Sequence, residues 1–302
     1  MRVFVTGASG HIGSAVVPEL LAAGHQVVGL ARSDSSAAAL TAAGAEVRRG
    51  DLDDLDGLRD AAAAADGVIH LAFKHEAMRS GDFAGAVGAD LHAIEAIGAA
   101  LEGSGKPFVS TSGTLMLTSA GITGRPGTEE DVVEAGPRVD AENTVVALAG
   151  RGVRSSVVRL PPLVHSTLDH HGFGPILIGI AREKGVAGYV GDGSNRWPAV
   201  HTLDAARAYR LALESVPAGS RLHAVADEGV PFRDIAGVIG RKLGLPSASI
   251  AAEDADEHFS FLGALVSRDN LTSNELTRQR LGWEPTRPGL IEDLDQGHYF
   301  DD

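Results

Sequence analysis

The sequence predicts an α/β protein: a doubly wound parallel sheet followed by a smaller C-terminal α/β lobe. Three observations carry that prediction. Short apolar runs of strand length alternate with segments of helical periodicity through the first half of the 302-residue chain. Such alternation makes a parallel sheet covered by helices on both faces. A glycine-rich turn, Gly7–Gly13, stands at the first strand–helix junction, and the rhythm changes after Pro161-Pro162, where loops become richer in Gly, Pro and His.

The elements follow in order. Arg2–Thr6 is an apolar run suited to a strand buried on both faces. Ser14–Ala23 repeats Val16, Val17, Leu20 and Leu21 at helical spacing, and Gly24 suits its stop. The same reading gives a strand at Gln26–Leu30, a helix at Ser36–Ala43 and a strand at Glu46–Arg48. An Ala-rich helix at Asp56–Ala65 precedes the strand Gly67–Ala72. The helix Phe83–Leu101, the strand Phe108–Ser112, the helix Asp140–Gly150 and the strand Arg154–Leu160 complete the alternation. Beyond it the helices Pro175–Lys184 and Leu203–Glu214 stand out. No repeat and no true linker divides the chain, so a first domain at 1–160 and a second lobe at 161–302 are expected to meet at a soft, interleaved boundary.

Composition excludes several function classes. Apolar residues make up 44% and charged residues 22%, which is ordinary for a globular protein with a core of its own. Lys and Arg number 26 against 40 Asp and Glu, a net charge of −14 with no dense basic run, so nucleic acid is not an expected partner. There is no cysteine, which removes disulfides, thiolate nucleophiles and Cys-ligated zinc. No uninterrupted apolar window reaches the roughly 18 residues of a membrane span. The start Arg2-Val3-Phe4-Val5-Thr6-Gly7 does not read as a secretory signal, so a cytoplasmic setting is expected.

The most informative stretch is Thr6-Gly7-Ala8-Ser9-Gly10-His11-Ile12-Gly13. Glycine admits backbone angles closed to other residues and lets the main chain approach a pyrophosphate, whose charge is met by N–H groups at the helix start. The position after a strand and before a helix is the context a dinucleotide site requires. Gly7, Ser9, Gly10, His11, Ile12 and Gly13 are the expected contacts.

The spacing Gly7-x-x-Gly10-x-x-Gly13 resembles the extended type of short-chain dehydrogenase/reductase, the NAD-dependent epimerase/dehydratase-like group. Further stretches resemble it in the right order: Gly50-Asp51-Leu52, Val68-Ile69-His70-Leu71-Ala72, Phe108-Val109-Ser110-Thr111-Ser112 and Val157-Val158-Arg159-Leu160-Pro161. Gly191-Asp192-Gly193-Ser194, His201-Thr202-Leu203-Asp204 and Leu281-Gly282-Trp283-Glu284-Pro285 extend it over nearly the whole chain. The resemblance implies a Rossmann-type doubly wound parallel sheet with a smaller C-terminal α/β substrate lobe. It also implies cofactor contacts at Asp51 and Leu52 (adenine side), at Leu71, Ala72, Phe73 and Thr111 (nicotinamide side), and at Pro161. A homodimer is a family-level expectation.

The second strand ends in Ala31-Arg32-Ser33 rather than in an acid for the ribose 2′-hydroxyl. The Arg32 guanidinium suits a 2′-phosphate and Ser33 adds a hydrogen bond, so NADP is favoured, with NAD the alternative. Asp34, 21 residues beyond Gly13, is the counter-indication.

The family's usual chemistry needs a Tyr with a Lys four residues later. Tyr189, Tyr209 and Tyr299 are the tyrosines here, and none has a Lys at that spacing. Anchored on Glu142 and Arg159, the motif falls on Glu134-Ala135-Gly136-Pro137-Arg138, with Gly136-Pro137 unfavourable to a regular helix. The chain thus reads as an atypical member. Ser112 matches the catalytic Ser, although a strand-end hydroxyl bonding locally is as good a reading. Thr114 could share that role. Arg138 suits the ribose contact and is a poor proton donor, being always charged. His165 and Lys74, with Glu134 and His75 behind them, are the other candidates for proton work, each also readable as surface or pocket wall. His165, His170, His171 and His201 lack helical ligand spacing, so no metal is expected. The resulting expectation is an NADP-dependent oxidoreductase acting on a small carbonyl, alcohol or activated double bond, with a proton donor other than Tyr. The alternatives are a non-catalytic NADP-binding regulator (NmrA-like) and, behind it, a sugar-nucleotide epimerase or dehydratase.

Overall fold

The computed structural model describes residues 1–301. Its strands are β1 (Arg2–Thr6), β2 (Gln26–Ala31), β3 (Glu46–Arg49), β4 (Gly67–His70), β5 (Pro107–Gly113), β6 (Arg154–Leu160), β7 (Leu163–His165), β8 (Ala187–Val190), β9 (Arg196–His201), β10 (Ser220–His223), β11 (Asp227–Pro231) and β12 (Ser247–Ile250). The first half carries helices α1 (Gly13–Ala22), α2 (Asp34–Ala42), α3 (Leu55–Ala64), α4 (His75–Arg79), α5 (Phe83–Leu101), α6 (Leu115–Ser119) and α7 (Val139–Ala147). The second carries α8 (Phe173–Lys184), α9 (Thr202–Ser215) and α10 (Phe232–Leu243), then the short helices Ala255–Phe259, Gly263–Val266, Glu275–Leu281 and Leu290–Asp295.

Seven strands form one sheet in the order β10-β6-β5-β4-β1-β2-β3. Every pairing within it is parallel. Alternate residues of each strand face opposite layers, as the pleat dictates. Phe4, Val68, Phe108 and Val157 pack on the layer holding α3, α5 and α7. Val3, Val5, Ile69, Val109 and Val158 pack on the layer of α1 and α9. Burial of this kind carries the fold: truncating the fully buried Phe4 to Ala is expected to cost about 3–5 kcal/mol. Helix α5 meets the length and apolarity of a membrane-crossing helix, with mean hydropathy 1.2. In this fold it lays Ala93, Ile94 and Ile97 into the sheet core.

The remaining strands make two small sheets, β11-β9-β7 and β12-β8. They enclose a second core around Trp197, Phe232 and Phe259. The chain passes between the two parts more than once, because α9 and β10 come from the second half and complete the first sheet and its outer layer.

The strand–helix alternation appears as read from the sequence, with shifts of one or two residues at most ends. β4 stops at His70 rather than Ala72 because the chain turns under the first strand. The N–H groups of Leu71 and Ala72 both donate to the Thr6 hydroxyl at 3.3 Å. After Gly136-Pro137 the helix α7 begins only at Val139, with Arg138 left-handed at φ 65°.

Candidate functional site

The glycine turn is held against the end of β4. Gly7 has φ 65°, and a Cβ there would stand 2.7 Å from the Ala72 nitrogen. A Cβ on Gly13 would stand 2.2 Å from the Gly7 carbonyl oxygen. Both positions therefore exclude a side chain on steric grounds. Ser9 and Gly10 are exposed, and Ile12, at the N-cap of α1, gives no side-chain hydrogen bond. An uncapped helix start offers N–H groups to an anion.

At the β2–β3 end the Ser33 hydroxyl caps α2 by accepting from Ser36 N at 3.1 Å. Asp51 turns its own loop, its Oδ1 accepting from the N–H groups of Asp53 and Asp54. Leu52 is buried beneath it. Arg32 Nη2 lies 3.0 Å from Glu76 Oε2, both well exposed. Asp34 is paired with Arg49, which the sheet register sets beside Ala31. Lys74 Nζ bonds both oxygens of Asp53 at 2.6 Å. That ion pair ties Lys74, which follows β4, to the loop after β3.

The opposite end, at β4 and β5, gathers Phe73, Thr111 and Arg138. Arg138 Nη2 donates to the Thr111 carbonyl oxygen at 3.1 Å. Its guanidinium sits 4.4 Å from the centroid of the Phe73 ring, a cation–π contact. The Thr111 hydroxyl donates to the His70 carbonyl oxygen at 2.9 Å and meets the Tyr209 hydroxyl at 2.8 Å. Tyr209 is fully buried, which pushes its phenol far above the usual range despite Thr111 and Arg138. Asp90, buried on α5, stands 3.6 Å from Arg138 Nη2.

The strand-end hydroxyls turn inward. Ser112 Oγ lies 3.1 Å from Met116 Sδ and also bears on the Glu142 carboxylate. Burial alone would push Glu142 up, but hydrogen bonds from Arg159 and Arg221 bring it below the ordinary carboxylate range. Thr114 Oγ1 donates to Asn270 Oδ1 at 2.7 Å, and Asn270 donates back to the Thr114 carbonyl. Glu134 is exposed.

On the lobe side Pro161 is buried directly after β6. His165 is buried, with Nδ1 2.9 Å from Asp293 Oδ2 and its ring edge-on to His201. His11 ties the glycine turn to this region: Nε2 lies 3.0 Å from Thr202 Oγ1 and Nδ1 3.6 Å from Asp169 Oδ1. Burial, then the nearby His170, His165 and His171, lowers His11 to about 4. Among the described residues no group of three or more His, Asp or Glu side chains is arranged to hold a metal ion.

The structure thus brings Phe73, Thr111 and Arg138 together, with Leu71 and Ala72 against Gly7. Lys74 and Thr114 are engaged elsewhere, whereas His165 bonds Asp293 through Nδ1 and leaves its buried Nε2 without a hydrogen-bond partner. Sequence reasoning missed Asp90, Tyr209 and Arg49. Asp90 left a signal, an acid on the buried stripe Ala86, Ala93, Ile94 and Ile97 of α5. Arg49 left none, since only strand register sets it beside the β2 turn.

A dinucleotide fits these residues. Gly7 and Gly13 give a close backbone approach beside a helix start, and two buried polar atoms at the β4–β5 end, Arg138 Nε and Asp90 Oδ2, lack hydrogen-bond partners.

The sequence profile of the NAD dependent epimerase/dehydratase family matches residues 3–131. An uncharacterized protein of Schizosaccharomyces pombe is 49% identical over 99% of this chain and 100% of its own length. The 2-alkyl-3-oxoalkanoate reductase of Stenotrophomonas maltophilia is 30% identical over 82% of this chain and 77% of that protein. Among solved structures, a dTDP-glucose 4,6-dehydratase from Streptomyces venezuelae with NAD bound superposes with a TM-score of 0.76 at 20% identity, covering 99% of this chain and 96% of that one. The fold, the glycine turn and these relatives together make the chain a member of the NAD-dependent epimerase/dehydratase family, the extended short-chain dehydrogenase/reductases.

Proposed function

We propose that the protein is an NADP-dependent oxidoreductase transferring hydride to or from a small carbonyl, alcohol or activated double bond. The observation that carries this reading is the row of groups at the carboxyl-terminal ends of β2, β1, β4 and β5. It runs from Arg32 and Ser33, past the glycine turn pressed on Ala72, to Arg138 over Phe73. The Stenotrophomonas relative, a reductase by name, supports carbonyl reduction over sugar-nucleotide chemistry.

Bound along this row, the reduced cofactor supplies hydride from its nicotinamide. The glycine turn and the start of α1 hold the pyrophosphate. Arg32 and Ser33 hold the 2′-phosphate. The pairing of Asp34 with Arg49 supports NADP, because the acid that would repel that phosphate carries its own counter-charge. Arg138 holds the nicotinamide ribose and, always charged, gives up no proton. Ser112 polarises the acceptor oxygen; its hydroxyl rests partly on a thioether, a weak acceptor that it can leave at small cost. Water supplies the proton that Tyr supplies elsewhere in the family.

The inward-facing Ser112 hydroxyl also favours a second reading, a cofactor-binding regulator without turnover. Nicotinamide absorbance followed with a panel of aldehydes, ketones, imines and enones separates the two. Turnover of at least one class is expected. Tight NADPH binding with no turnover across the panel would sink the enzyme and favour the regulator.

A further inference from the structure

Helix α5 fills its buried stripe with small or aliphatic residues except at Asp90, which is 1% exposed. A carboxylate taken out of water costs several kcal/mol unless it is paired. Asp90 Oδ1 lies 3.0 Å from His70 Nε2, and His70 Nδ1 lies 2.8 Å from Thr6 Oγ1. The Thr6 oxygen already accepts the N–H groups of Leu71 and Ala72, so its hydroxyl proton goes to His70 Nδ1. That leaves the imidazole proton on Nε2, donating to Asp90. The carboxylate is therefore fixed in orientation from the end of β1.

Its other oxygen, Oδ2, has no hydrogen-bond partner and faces Arg138 Nη2 at 3.6 Å. Arg138 is held otherwise by a neutral carbonyl and an aromatic ring. Its backbone is left-handed, at φ 65°, which costs a non-glycine residue about 1 kcal/mol. Among the described residues Asp90 is the one counter-charge at this strained residue, and it places the guanidinium.

We propose that Asp90 is a positioning residue of the site: locked by His70 and Thr6, its carboxylate holds the Arg138 guanidinium at the end of β5, where it meets the nicotinamide half of the cofactor. This rests on the dinucleotide reading above.

Asp90→Asn keeps the volume and an oxygen for His70 but removes the charge. Fluorescence titration is expected to show NADPH affinity weakened about tenfold, the size of one lost charge-assisted contact. In turnover kcat should fall more than substrate KM rises, with Tm little changed. Arg138→Gln should weaken binding similarly, and the double variant should be no worse than Arg138→Gln alone. Thr6→Val, nearly isosteric, frees His70 and should weaken NADPH about threefold by loosening the same chain; it serves if Asp90→Asn does not fold. A shift in Tm with wild-type affinity and kcat, fully additive effects, or unchanged affinity in Thr6→Val overturns the assignment. A wild-type protein that binds no dinucleotide overturns the functional reading itself; one that binds NADPH while its variants match it overturns only the role of Asp90.

Discussion

Gly13 faces the carbonyl oxygen of Gly7 so closely that a Cβ on Gly13 would stand 2.2 Å from it. The Ala8 backbone stands next, with its carbonyl carbon at 2.6 Å. None of these atoms belongs to a flexible side chain, so relief requires moving the turn itself. Gly10 differs, since its Cβ would meet the Gly7 oxygen at 3.3 Å, a contact that a few tenths of an ångström relieve.

Gly13→Ala is accordingly expected to lower Tm and abolish dinucleotide binding. Gly10→Ala should leave Tm near wild type while weakening the nucleotide, because its surface faces outward. Thermal melts with and without NADPH check both. A Gly13→Ala protein that melts and binds like wild type would show that the turn is laxer than its geometry.

On the proposed reading, cofactor choice turns on Arg32. Its pair with Glu76 is exposed, and such pairs contribute about 0–1 kcal/mol. Arg32→Ala should therefore leave stability unchanged while weakening NADPH about 10- to 100-fold and NADH hardly at all. Arg49→Ala, which releases Asp34 to repel the same phosphate, should act in the same direction more weakly. Equal affinity for both nucleotides, untouched by either change, would exclude a 2′-phosphate site here.

Much of this was legible in the sequence because it is local. The alternation fixes the sheet, and the glycine turn is one contiguous stretch whose shape follows from backbone sterics. Arg138 was also reachable, as the residue standing where the family's Lys is expected. Illegible were the contacts made across the sheet. Tyr209 meets Thr111 from a helix 98 residues on, and Asn270 meets Thr114 from 156 residues on. Periodicity reports which face of an element is buried but not which distant hydroxyl it will find there. Thr114 shows the consequence: its residue type suits carbonyl polarisation, yet Asn270 takes both its hydroxyl and its carbonyl.

That contrast predicts opposite outcomes for two neighbouring hydroxyls. Ser112→Ala should lower kcat about 10- to 100-fold at unchanged NADPH affinity, the loss of one hydrogen bond to a developing charge. Thr114→Ala strands the buried Asn270 side chain and should instead cost stability, about 1–3 kcal/mol, with kcat changing little in the folded protein. Denaturant melts beside steady-state kinetics separate the two. A kcat loss in Thr114→Ala with unchanged stability would move catalysis to Thr114.

Two histidines should make the fold sensitive to mild acid. Burial, then the Arg159 charge, lowers His223 from the usual 6.5 to about 3, and burial followed by neighbouring histidines lowers His11 to about 4. His223 is fully engaged in its neutral form, accepting from Arg159 at Nε2 and meeting the Ser273 carbonyl through Nδ1. Both folded values lie below the unfolded one, so as pH falls through 6.5 the unfolded chain takes up protons that the folded chain refuses. Each group then removes about 1.4 kcal/mol of stability per pH unit until its own folded value is reached. Together they set a loss of about 3 kcal/mol per unit between roughly pH 6 and pH 4.5. In the same direction, but only at more acid pH, Glu142 and Asp131 must be protonated away from their arginines. Asp169, raised by burial, opposes the trend. Urea melts at half-unit pH intervals read the slope directly. His223→Gln, whose amide can meet both partners without titrating, should be less steep than wild type by about 1.4 kcal/mol per unit. Equal slopes in the two proteins would mean that His223 is protonated in the fold, and its bond to Arg159 would then be the wrong one.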